Sequence, residues 1–176
     1  MTVQRWVRSV AAVGSAVAVA GLVTVGTATP ALAASAPGTT TATANVQSSI
    51  TLSGLTPAFT LTGAPGATAT GAGAVTMKVT TNNTLGYTVG VQAAAATMTG
   101  TATGNTDTIP VSALTVKENT GSTYTALSAT AAVTVHNQNG KSLATGDTVT
   151  NDMQLAVPFV NSDSYSVALN YVATTK

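Results

Sequence analysis

The chain contains one histidine, His136, and five carboxylates, Asp107, Glu118, Asp147, Asp152 and Asp163. Nucleophilic catalysis of the serine-hydrolase kind needs a hydroxyl, a histidine base and an acid that orients it. Any such site here must be built on His136. The run His136-Asn137-Gln138-Asn139-Gly140 reads as a turn, with Asn-Gly as a strong hairpin signal, so a solvated turn histidine is expected rather than a base. Paired-carboxylate catalysis needs two acids close together. These five are scattered along the chain, mostly near turns, where Asp bonds to the local backbone. Calcium takes several oxygen ligands, and Asn105-Thr106-Asp107 and Asn161-Ser162-Asp163-Ser164 are oxygen-rich. Each holds a single acid and neither has EF-hand spacing, so capped turns are expected, with no catalytic residue, metal or cofactor. The absence of Cys excludes thiol catalysis, a disulfide scaffold and cysteine-ligated metal sites.

Sugar binding asks for exposed aromatic faces. Beyond residue 33 the aromatics are Phe59, Tyr87, Tyr124, Phe159, Tyr165 and Tyr171. All except Tyr124 lie in phase with apolar neighbours and are expected in the core. Tyr124 is therefore the one candidate ligand contact. Asn82-Asn83-Thr84 matches the N-glycosylation pattern, but it stands where a turn is expected. Lys and Arg total 6 against 5 acids, and no basic cluster is present, which removes the electrostatic footprint of a nucleic-acid binder.

The elements that must position these residues begin after an address segment. Arg5 and Arg8 precede an apolar run from Val10 to Val25, and Ala31-Leu32-Ala33 follows Pro30. That is the layout of a secretory signal peptide over 1–33. The run is shorter than the roughly 20 residues that span a bilayer, so no membrane association is expected after cleavage. Trp6 and Val7 separate the two arginines, which does not fit the twin-arginine route, and without Cys there is no lipid attachment. Residues 34–45 (ASAPGTTTATAN) lack periodicity and read as a flexible linker. The domain would occupy 46–176.

That domain alternates with period two, the signature of half-buried strands. Val46, Ile50 and Leu52 form one run, and Leu55, Phe59 and Leu61 another, with Pro57 marking an edge or bulge. Val75, Met77 and Val79 lead through Asn82–Gly86 into Tyr87, Val89 and Val91, which reads as a hairpin. Leu114 and Val116, then Tyr124 and Leu127, then Val133 and Val135 continue the pattern. A hairpin is expected again at Asn139-Gly140. A third joins Val149, Met153, Leu155, Val157 and Phe159 to Tyr165, Val167, Leu169 and Tyr171. No segment has a convincing helical period; Val91–Met98 comes nearest. The 36 threonines suit pleated strands with a wet face. The expected fold is an all-β, antiparallel, immunoglobulin-like β-sandwich of about eight or nine strands.

The pieces 80-TTNNTLGYTV-89, 106-TDTIPV-111 and 165-YSVALNYVAT-174 resemble small secreted surface proteins of Gram-positive bacteria, especially actinobacteria. More distantly, 46–175 is similar to the WxL-type cell-surface domain. That resemblance implies peptidoglycan attachment; the chain lacks the Trp-x-Leu motif, and Tyr171 stands about where the second Trp falls. The sequence therefore reads as a secreted, non-enzymatic structural or adhesive protein. It would be extracellular or wall-associated and act through sheet surfaces, with self-association through open edges. A non-covalent module for cell-wall glycan or an extracellular partner is the alternative.

Overall fold

The computed structural model describes residues 35–176, so the signal-peptide expectation over 1–33 lies outside the described residues. Residues 44–176 form one compact unit. Its strands are, in chain order, β1 (Ile50–Ser53), β2 (Thr68–Thr81), β3 (Tyr87–Ala93), β4 (Thr97–Gly100), β5 (Thr108–Pro110), β6 (Leu114–Glu118), β7 (Thr125–Ala126), β8 (Val133–Gln138), β9 (Asp147–Ala156), β10 (Tyr165–Ser166) and β11 (Leu169–Thr175). A single 3-10 turn, Val111–Ala113, precedes β6. The eleven strands exceed the eight or nine expected because β4, β5, β7 and β10 are only two to four residues long, too short for alternation to register.

All pairing is antiparallel. One sheet has the order β1-β2-β9-β6-β7, a second β11-β3-β8, and a small third β10-β4-β5. The fold is a β-sandwich. Inward rows from the first sheet (Val75, Met77, Val79, Leu114, Val116, Val149, Met153) and the second (Tyr87, Val89, Val91, Val135) share one hydrophobic core. Each such side chain removed from water contributes about 1.5–3 kcal/mol.

The three expected hairpins are corrected. β2 pairs with β1 and β9, β3 with β11 and β8, and β9 with β2 and β6. The turn Asn82–Gly86, the connection through Asn139-Gly140 and the connection from β9 towards β11 each carry the chain out of one sheet and into another. Alternation records which face a residue lies on, not which strand lies beside it. Gly86 shows why its turn is an arch: it has φ +99° and lies under the carbonyl of Gln138, where a Cβ would collide. Two further expectations fail in detail. Val46 is outside any strand and 84% exposed. The segment with Leu55, Phe59 and Leu61 forms no strand, although those side chains pack against the core.

Two bulges break the pleat. In β2, Gly71 pairs with Met153 and Val75 with Asn151, so residues 72–74 face Asp152 alone. In β8, Val89 pairs with His136 and Gly90 with Thr134, which makes Val135 an extra residue. A bulge re-aims side chains, and these two lie at Asp152 and at His136.

Candidate functional site

His136 is a strand residue, not the solvated turn residue expected. The β8 bulge lets Val135 and His136 both lie against the interior, and the imidazole is only 16% exposed. Its Nδ1 lies 2.7 Å from Glu118 Oε1. A carboxylate only accepts, so Nδ1 carries the proton. The pair ties β8 of one sheet to β6 of the other. Together the two side chains border a shallow depression of about 210 Å³, lined also by Lys117, Thr123, Thr125, Thr134 and Asn137. The imidazole ring lies 5.4 Å from the Tyr87 ring, and the Tyr87 hydroxyl donates to Asp147 Oδ2 at 3.1 Å. Burial, then the bond to Asp147, pushes the Tyr87 hydroxyl pKa well above its usual value. A histidine held by an acid is two parts of a hydrolytic triad. The third part must reach the free nitrogen at about 2.6–3.2 Å. Nε2 is buried, and no hydroxyl among the described residues hydrogen-bonds to it.

On the opposite face of β6, Lys117 meets its register partner Asp152 at 2.6 Å, and both are largely buried. Asp152 also accepts the Gly73 N–H at 2.7 Å, which pins the β2 bulge, and the Asn119 amide at 3.3 Å. Lys117, then the Gly73 N–H, holds the Asp152 carboxyl below its usual pKa. The Lys117 ammonium lies 5.4 Å from the Tyr124 ring centroid, within cation–π range. The candidate ligand contact Tyr124 is thus half-buried, with a cation on one ring face.

The two oxygen-rich loops meet. Asp163 accepts from the Asn105 amide at 2.7 Å, from the Ala102 N–H at 2.9 Å and from the Thr101 hydroxyl at 3.0 Å. Asp107 accepts the Asn161 N–H at 2.8 Å, and the Tyr165 hydroxyl donates to the Asn161 carbonyl at 2.9 Å. The Asn105 amide leads the donors that hold the Asp163 pKa at about 2. Among the described residues no three His, Cys, Asp or Glu side chains group as metal ligands. Beside this knot Phe159, expected in the core, is 95% exposed. It follows Pro158 beyond the end of β9, where the alternation carries on in sequence but the strand does not. At the other end of the sandwich the glycosylation-pattern Asn82 uses both side-chain atoms to hold the incoming chain, through the Gln47 carbonyl and the Ser49 N–H.

Glu118 could have been found from sequence. It continues the phase of Leu114 and Val116, which places a carboxylate on the inner face. His136 could not, because only the bulge brings it inside. No family model matches the chain, and neither does any curated protein.

Proposed function

We propose that this chain is a secreted, non-enzymatic β-sandwich that serves at a bacterial cell surface, or beyond it, as a structural or adhesive element. It works through its sheet faces and edges. One observation carries the reading: all five carboxylates accept hydrogen bonds within the fold. The negative charges are thus tied to partners within the fold, and apart from the exposed Lys78, Lys141 and Lys176 the surface is mostly hydroxyl, amide and apolar. Contacts made by such a surface depend little on salt. The test is capture of labelled protein by a surface coated with the same protein and by purified cell walls. Retention on its own copies in high salt supports the reading. It is overturned by a lack of retention on its own copies, or by hydrolytic turnover that His136→Ala abolishes.

A second reading, a module for cell-wall glycan, is favoured by Phe159, an aromatic ring 95% exposed beside a loop of Asn and Asp side chains. The half-buried Tyr124 ring would be its other platform. Under this reading Phe159→Ala releases the protein from cell walls and leaves capture by its own copies unchanged. Unchanged wall retention in that variant contradicts it.

A further inference from the structure

We infer that two copies of this chain pair edge to edge through β11, about a two-fold axis that passes beside Val172. The inference rests on the proposed role in self-contact and names the partner and the strand.

In an antiparallel pair, alternate residues turn both backbone groups towards one neighbour and the remaining residues turn theirs the other way. The Lys176 N–H donates to the Gly86 carbonyl and the Ala94 N–H to the Ala168 carbonyl, at the two ends of the β11–β3 register. Even-numbered residues of β11 therefore face β3. Leu169, Tyr171, Ala173 and Thr175 present their N–H and C=O groups at the outer edge, where no described strand is hydrogen-bonded to β11, although β1 of the other sheet packs near it.

Edges of this kind are normally blunted by charge, proline, a bulge or short length. β11 is LNYVATT, seven residues with no charge and no proline, and its register with β3 is unbroken. The opposite edge of the same sheet, β8, carries both a bulge and His136. The edges of the first sheet are four residues (β1) and two residues (β7) long. Among the described strands β11 is the one long edge without a guard.

The register follows from symmetry. A one-residue slip would turn the inward row outward, and a two-fold axis requires each contact to be reciprocal. With the axis at Val172, Tyr171 opposes Ala173 of the second copy and Leu169 opposes Thr175. These are the four residues with free backbone groups, so every one finds a partner. Val172, 59% exposed, then meets its own counterpart at a non-hydrogen-bonded position, where Cα atoms stand about 4.5 Å apart. Asn170 faces Thr174, and no like charges meet. A single strand pair covers less than the roughly 800 Å² per partner of a standard interface, so the dimer grows in with concentration.

The test uses the natural absence of cysteine. Val172→Cys places two thiols across the axis within the Cα range of about 4.4–6.8 Å that a disulfide spans. Asn170→Cys places them four residues apart along the strands, about 13 Å. Mild oxidation of the protein purified after expression of the whole chain should dimerise Val172→Cys at least about tenfold faster than Asn170→Cys. Sedimentation velocity should show a dimer growing with concentration. That dimer is lost in Val172→Lys, whose side chain is exposed and whose melting temperature stays unchanged. Equal oxidation of the two cysteine variants, or a monomer at every concentration, overturns the inference. If it fails while coated surfaces still capture the protein, self-contact uses another edge. If Val172→Cys links selectively while coated and cell-wall surfaces capture nothing, the pair stands and the adhesive reading falls.

Discussion

Asn151 stands in the inward row of β9 between Val149 and Met153, fully buried, with neither side-chain amide atom hydrogen-bonded. An unsatisfied buried polar group costs about 1–3 kcal/mol. Asn151→Val should therefore raise stability by about 1 kcal/mol, read as a later denaturant midpoint with an unchanged slope. An earlier midpoint would show that the amide is satisfied in solution. Two titrating groups make opposite predictions with pH. The Asp163 carboxyl is held at about 2, below its usual 3.8. Its contribution is present above 3.8 and lost as pH falls through about 2. The melting temperature should fall over that interval, and Asp163→Asn should flatten the fall. Burial pushes the Tyr171 hydroxyl up from 10 to about 12. That contribution is complete below 10 and lost as pH rises through about 12. Tyr171→Phe should remove the corresponding late step from an ultraviolet titration and keep the fold, since it deletes a hydroxyl that has no partner.

At the scale of elements, the charged pairs act as fasteners between strands that are distant in sequence. Lys117 and Asp152 join β6 to β9, and Asp152 also secures the β2 bulge through Gly73. Removing the lysine leaves a mostly buried carboxylate without its cation, so Lys117→Met should cost roughly 3 kcal/mol in denaturant unfolding. A loss under about 1 kcal/mol, the worth of an exposed pair, would show the site to be wet. The turn between β2 and β3 depends on Gly86, whose φ of +99° and closeness to the Gln138 carbonyl exclude a side chain. The same turn shows what the sequence could reveal. Val75, Met77 and Val79, then Tyr87, Val89 and Val91, marked two strands and their inner faces correctly. The pattern held no information about the arch, because a hairpin and a sheet-to-sheet crossing use the same turn residues. Glu118 was legible by phase. His136 was not, because its inward position depends on one extra residue in β8. Phe159 misled because alternation continued past the point where Pro158 leaves the sheet.

At the scale of the whole molecule, a near-neutral surface rich in threonine gains little from charge repulsion. The five carboxylates are engaged within the fold, and one long strand edge stands unguarded. These features support a molecule that meets its surroundings, and its own copies, through hydroxyls, amides and backbone groups. The most direct measurement is capture of the labelled protein from solution by a surface coated with the same protein, at low and high salt. The account predicts capture that rises with concentration and is nearly unchanged by salt. Absence of capture, or capture abolished by salt, would contradict it.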